Sequence, residues 1–107
     1  MSEEAVRALS EEVLGGIIRV VVDIRRGVLI AGGSPHTVGV EELMADGSKR
    51  EDLWGVIYVP SQAMGKRVDY TARINQRQPT NQESLAIQDP QIRQQVQTVL
   101  MKCLGSV

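Results

Sequence analysis

Four arginines are the side chains best suited to bind a ligand, because the turns that carry them are expected to meet. Arg25 and Arg26 follow one apolar run, Arg50 precedes another, and Arg77 follows a third. Guanidinium groups offer planar, paired donors to phosphate or carboxylate. If the chain crosses the sheet between its second and third strands, the four arginines meet at one edge. Such a basic edge could hold an anion, but we favour the alternative that these turn arginines are simply solvated.

The only tryptophan lies where a charged turn becomes an apolar strand. Trp54 follows Asp52 and precedes Val56–Val59. Its indole could stack on a ligand, but in a chain with two tyrosines and no phenylalanine we favour the role of a core residue. Asp52 could bind the basic edge or cap the turn, and we favour capping. Asn75 and Arg77 have the spacing of one strand face, so they could reach one ligand together or lie at a solvated strand end.

His36 is the only histidine, and it follows a proline in a loop. It could act as a general base or donate a hydrogen bond, or it could simply pack in the loop. A zinc site needs three or four ligands, whereas Cys103, the only cysteine, lies far away in an apolar helical pattern. The segment Gly32–Ser34 lacks the Lys-Ser/Thr ending of a phosphate-binding loop. The sequence predicts no catalytic residues, no metal and no cofactor.

The first half of the chain predicts a helix, a hairpin and a second helix. Ser2 can cap the first helix. Period-two alternation starts a strand at Ile18, and Val28–Ala31 returns as the second strand after a short turn. A shorter helix follows, with Thr37 as its expected cap and Met44 among its core-facing residues.

The second half predicts two strands, a polar connection and a final helix. Leu53–Val59 is the third strand, and the alternation of residues 68–75 predicts a fourth. The polar connection Gln76–Gln88 has a length typical of functional or disordered loops, and Asp89-Pro90 then starts the last helix. We expect one α+β domain over residues 1–107, in the order α-β-β-α-β-β-α, whose four-stranded sheet is covered by helices on one face.

Composition limits the classes of partner. A net charge of -1 gives no global field that would attract nucleic acid or anionic lipid. Few aromatic side chains are available to stack on bases. No apolar stretch approaches the roughly 18 residues that span a bilayer, and the chain does not open with a basic region followed by an apolar one. The sequence predicts a cytoplasmic protein without nucleic-acid or membrane partners.

The sequence contains a set of residues and short motifs in this order: His36, the Gly47-Ser48 turn, Asp52-Leu53-Trp54-Gly55, Ile74-Asn75-x-Arg77, Ser84 and Asp89-Pro90-x-Ile92-Arg93. With this set, the chain resembles a small uncharacterised prokaryotic family of about this length, a domain of unknown function, from about Val20 onward. The resemblance implies a compact bacterial or archaeal domain and transfers no catalytic residue. After Arg77 the chain has Gln82 and Glu83, where the family is richer in arginine and glycine, which weakens an anion-binding hypothesis.

Two functions stay open. The leading hypothesis is a non-enzymatic binding or interaction module whose partner is a protein, through self-association or strand addition to an open sheet edge. The rival is an enzyme or sensor for a small anionic ligand at the basic edge. In the rival, His36 is the weak point, because we expect it near the opposite end of the sheet. The residues of the rival site are Arg25, Arg26, Arg50 and Arg77 on the anion, with Asn75, Asp52 and His36 orienting it and Trp54 available for stacking.

Overall fold

A computed structural model describes residues 17–32, 35–63 and 65–105. The predicted first helix lies outside the described residues, so one domain over residues 1–107 stays a prediction. From the second element onward, the observed order matches the predicted one. The strands are β1 (Ile18–Asp23), β2 (Val28–Gly32), β3 (Leu53–Tyr58) and β4 (Val68–Asp69); the α-helices are α1 (His36–Ala45) and α2 (Pro90–Leu104); and two short 3-10 helices span Arg50–Asp52 and Arg73–Arg77.

The four strands form one antiparallel sheet in the order β2-β1-β3-β4. Since β2 and β3 both run antiparallel to β1, they share a direction, as expected. The turn between β1 and β2 therefore lies at the same end of the sheet as the 3-10 helix that precedes β3. The α+β class and the four-stranded sheet are confirmed.

The prediction that the helices cover one face is wrong, because α1 and α2 pack on opposite faces. Val20 and Val22 of β1 belong to the core that includes Val96 of α2. Val21, between them in sequence, belongs to the core that includes Val40 of α1. Neighbouring side chains of a strand point to opposite faces, so a strand with consecutive buried valines must lie between two layers.

The predicted fourth strand ends much earlier than its alternation indicates. After Val68–Asp69 the chain leaves the sheet, and residues 73–77 form a 3-10 helix. Ala72 and Ile74 pack over Gly55 in the middle of β3, where an added Cβ would lie 2.7 Å from the Cβ of Ala72 and 2.9 Å from the side chain of Ile74. The alternation of residues 68–75 thus belongs to a segment that crosses over β3, and Gly55 provides the space for that crossing.

Helix ends are only partly as predicted. The carboxylate of Asp89 accepts a backbone N–H at 2.8 Å and caps α2, as expected. The other helix starts at His36, with Pro35 at the cap position, so Thr37 lies inside α1 and does not cap it. Met44 is 44% exposed, and its predicted core position is wrong, because the buried stripe of α1 ends at Leu43.

Hydrogen bonds from a buried asparagine order the polar connection Gln76–Gln88. The Asn81 amide donates to the carbonyl oxygens of Ser84 and Ala86, both at 2.9 Å. Its oxygen accepts the backbone N–H of Gln88 at 3.0 Å. This segment therefore folds as a closed loop beside the sheet.

Candidate functional site

The basic edge exists, but two of its arginines already hold acidic partners. Arg25 Nε lies 2.8 Å from a carboxylate oxygen of Asp52. Arg26 pairs with Asp46 at 2.8 Å and also donates to the hydroxyl of Ser48 at 2.8 Å. The capping role favoured for Asp52 is therefore wrong, because its carboxylate pairs with the basic edge. An added anion would have to compete with these acids.

A buried carboxylate that the sequence analysis did not single out organises this edge. Asp23 accepts the backbone N–H groups of Arg25 and Arg26, each at 2.9 Å, and the hydroxyl of Ser48 at 2.6 Å. Burial alone raises the pKa of Asp23, but the Ser48 and backbone hydrogen bonds outweigh burial and lower it. An aspartate that ends a strand before a turn is a signal for such backbone bonding.

Arg50 and Arg77 border one small hollow beside Gln78. The volume of this hollow is about 10 Å³, which is about the space of one water molecule. The structure thus brings these two arginines together, as expected, around a hollow that is too small to enclose a phosphate group.

Asn75 is fully buried and takes the place of a strand beside β3. Its oxygen accepts the N–H of Gly55 at 2.8 Å, and its amide donates to the carbonyl of Gly55 at 3.0 Å and to that of Leu85 at 3.1 Å. Gln78 donates to the carbonyl of Leu53 at 2.8 Å. These bonds leave the Asn75 amide no access to a ligand shared with Arg77.

The outer edge of β3 is consequently protected along its length. The N–H of Leu53 donates to the carbonyl of Arg50, and Asn75 serves both backbone groups of Gly55. Ile57 pairs with Asp69 of β4. Together with the Gln78 bond, these contacts block the addition of another strand at this edge.

Among the described residues, no strand pairs with the outer edge of β2, which we call the open edge. The backbone N–H of Ile24 points toward β3, whereas the carbonyl of Asp23 points toward β2, where it accepts the N–H of Gly27. Backbone direction alternates along a strand, so Val22 and Val20 point away from β2. Their pairing partners in β2, Leu29 and Ala31, therefore direct their own N–H and C=O groups away from β1, out of the edge of the sheet. Neither residue has an outer hydrogen-bond partner in the part of the chain that the structure describes. The sequence signal for this edge is a strand without charge or proline, Val28–Gly32.

His36 lies at the end of the sheet away from the arginines, as expected, beside a cavity of about 150 Å³ between β2 and α1. Its Nε2 carries the proton, because that atom lies 2.8 Å from the carbonyl oxygen of Val56. Burial lowers the pKa of His36, and the charge of Arg19 lowers it further, against the opposing effect of the Val56 bond. Besides His36 and Arg19, the cavity is lined by Val21, Ile30, Ala31, Gly32, Pro35, Val38, Gly39 and Glu42.

Trp54 is a core residue, the role we favoured. It is 3% exposed and belongs to the core that includes Val96 of α2. Its Nε1 has no hydrogen-bond partner among the described residues. The indole therefore offers no stacking surface to a ligand from solvent.

Within residues 17–32, 35–63 and 65–105, no group of three His, Cys, Asp or Glu side chains is arranged to hold a metal ion. No helix in this part of the chain has the length and apolarity needed to cross a membrane.

Comparison with known proteins identified a family. A family model for a protein of unknown function, DUF5674, matches residues 1–103. No curated protein and no solved structure matched the chain. The match covers nearly the whole sequence and brings no assigned activity.

Proposed function

Since the chain belongs to the DUF5674 family, whose function is unknown, we propose a function from its own geometry. The protein is a non-enzymatic binding module that receives an extended strand of a protein partner at the open edge of β2. The observation that carries this proposal is the difference between the two edges of one sheet. Asn75 and Gln78 protect the edge of β3, while no residue that the structure describes pairs with the outward backbone groups of Leu29 and Ala31.

The open edge supplies binding energy through its outward backbone groups. Natural sheets commonly protect their edges with charge, proline or a bulge, and Val28–Gly32 has neither charge nor proline. An incoming strand would pair with the N–H and C=O groups of Leu29 and Ala31. Each hydrogen bond contributes on the order of 1 kcal/mol after the loss of water contacts is counted.

The cavity beside this edge supplies a pocket for a side chain of the incoming strand. Ile30 and Gly32 line it on the sheet side, and Val38 lines it on the α1 side. In strand addition, backbone bonds give affinity, while pockets for alternate side chains give selectivity. The chain thus has both features at one place.

A single backbone N–H tests the proposal. A displayed library of extended peptides is selected against the protein, and amide hydrogen exchange locates the bound peptide. We expect selected peptides to slow exchange at Leu29 and Ala31, and we expect Ala31→Pro to abolish their binding, since proline removes an outward N–H without breaking the pairing with β1. Ala31→Ser keeps the N–H and is the matched control. Peptides that protect other amides and bind Ala31→Pro unchanged would contradict the proposal.

A second candidate function is the binding of a small anion near the basic edge. An open hollow of about 310 Å³ lies between the β1–β2 turn and α2, and Lys102 joins Arg25 and Arg26 around it. Inorganic phosphate, titrated by amide NMR, should shift the Gly27 signal, and Lys102→Met should abolish that shift. Lys66→Met changes an exposed lysine elsewhere and should leave it intact. A Gly27 signal that phosphate does not move would exclude this candidate.

The proposal includes a cytoplasmic location. Cys103 is the only cysteine, so the chain forms no internal disulfide, which is typical of proteins in reducing compartments. The prokaryotic origin implied by the resemblance stays a prediction.

A further inference from the structure

We infer that the strand received by β2 is β2 of a second copy, paired antiparallel about a two-fold axis at Ile30. This inference rests on the proposed function and names its partner. In the resulting dimer the two four-stranded sheets join into one continuous sheet of eight strands. The contact uses the same patch of both copies, which is the isologous arrangement of most two-fold dimers.

The positions of the outward groups make the edge complementary to itself. Leu29 and Ala31 lie symmetrically on either side of Ile30. When two copies pair about Ile30, Leu29 faces the partner's Ala31, and Ala31 faces the partner's Leu29. Each of these two pairs can exchange two N–H···O=C bonds, so all four outward groups of each copy find partners.

The side chains meet well in this register. Ile30 lies directly opposite the partner's Ile30 on the α1 side of the sheet, as a cross-strand pair of β-branched residues. On the α2 side, the large Leu29 lies beside the partner's small Ala31. No charge lies opposite a like charge along Val28–Gly32, because this strand has none.

The cavity gives an independent reason for the same register. Pairing about Ile30 places the partner's Val28 opposite Gly32, with its side chain on the α1 side. At Gly32 an added Cβ would meet nothing within 4 Å, and the cavity of about 150 Å³ lies there. The partner's Val28 thus enters the space that Gly32 leaves, and symmetry repeats the contact. One chain supplies both the projecting valine and the open position, which favours a second copy over an unrelated strand.

Disulfide trapping tests the partner and the register together. In a Cys103→Ser background, Ile30→Cys places two thiols at a non-hydrogen-bonded pair with Cα atoms about 4.5 Å apart, within the range of a disulfide. Ala31→Cys is the control, because its two copies lie diagonally, more than about 7 Å apart. On a denaturing gel without reductant, we expect mild oxidation to shift Ile30→Cys to the mass of a covalent dimer and added reductant to reverse the shift. Ala31→Cys should stay at the mass of one chain. Circular dichroism of both variants checks that they are folded.

Sedimentation of the unaltered protein completes the test. A dimer that dissociates on dilution, with trapping through Ile30→Cys, supports the inference. Trapping through Ala31→Cys alone overturns the register. A protein that stays monomeric at millimolar concentration overturns self-pairing, while the proposed function still stands if selected peptides protect Leu29 and Ala31.

Discussion

Replacement of Asn75 by aspartate tests whether one side-chain amide takes the place of a strand beside β3. The change keeps the shape of the side chain and an acceptor for the N–H of Gly55. It removes the donor that serves the carbonyl oxygens of Gly55 and Leu85 at 3.0 and 3.1 Å. The Gly55 carbonyl therefore loses its partner in a region where Asn75 itself is 0% exposed, whereas the Leu85 carbonyl still accepts the N–H of Ala72 at 3.1 Å.

The expected cost follows from these two carbonyls. The unpaired Gly55 carbonyl costs about 1–3 kcal/mol and the lost bond to Leu85 about 0.5–1.5 kcal/mol, so Asn75→Asp should lower the free energy of unfolding by about 2–4 kcal/mol at pH 7. A domain of this size has a stability of about 5–15 kcal/mol, so the variant should remain measurable near the margin of folding.

The pH dependence of the variant separates this cause from a general packing defect. Burial disfavours the charged form of the introduced carboxyl and raises its folded pKa above the unfolded value of about 3.9. Protonation also restores one donor. The variant should therefore lie closest to the wild type near pH 4, and lose stability as the pH rises through the folded pKa.

Urea unfolding followed by Trp54 fluorescence, between pH 4 and 8, measures this. Gln76→Glu makes the same chemical change at an exposed neighbour and should cost less than about 0.5 kcal/mol. If Asn75→Asp lowered the free energy of unfolding at pH 7 no more than this control, the Asn75 amide would not act as a substitute for a strand. That result would contradict the protection of the β3 edge by Asn75.

Three further changes test the core and the basic edge. Gly55→Ala should destabilise the protein by about 1–3 kcal/mol in thermal unfolding, because its Cβ would lie 2.7 Å from that of Ala72; an unchanged midpoint would contradict the crossing contact. Asp23→Asn should cost about 1.5–3 kcal/mol at pH 7. Since the folded pKa of Asp23 is lowered, the wild type should lose the stability contributed by the ionised carboxylate as the pH falls below about 4. If the wild type and Asp23→Asn lost stability equally in acid, the stabilising role of the Asp23 carboxylate would be refuted. Trp54→Ala should cost about 3–5 kcal/mol in urea unfolding, with Trp54→Phe much milder, and a cost below about 1 kcal/mol would contradict the core position.

Elements with one dominant local signal were predictable from the sequence. Asp89-Pro90 supplies both a cap and a preset φ, and α2 begins there. The β-branched run from Ile18 forms β1, and the hairpin returns at Val28. Such signals depend on neighbours in the chain, which the sequence shows directly.

Features that depend on distant packing were not predictable. Alternation in residues 68–75 indicated a strand, but the space over Gly55 lets the chain cross the sheet and bury Ile74. Consecutive valines at 20, 21 and 22 carried the signal for two covered faces, yet the alternation around them favoured one.

The candidate site residues also include some that the sequence could predict and some that depend on distant packing. The meeting of the arginines followed from strand directions, whereas the pairing of Arg25 with Asp52 required the tertiary structure. Asn75 looked like a ligand residue because the sequence does not reveal that Gly55 lies beside it. The open edge was expected in general, and the structure identifies it as β2.

Residue-resolved amide hydrogen exchange over a range of protein concentrations tests the open edge of β2 most directly. In dilute solution the amides of Leu29 and Ala31 should exchange fast while that of Ile30, which points toward β1, stays protected. As the concentration rises, or when a strand peptide is added, Leu29 and Ala31 should become protected as well. Slow exchange of Leu29 and Ala31 at every dilution would mean that the chain itself covers this edge, and fast exchange under all of these conditions would mean that no strand binds there.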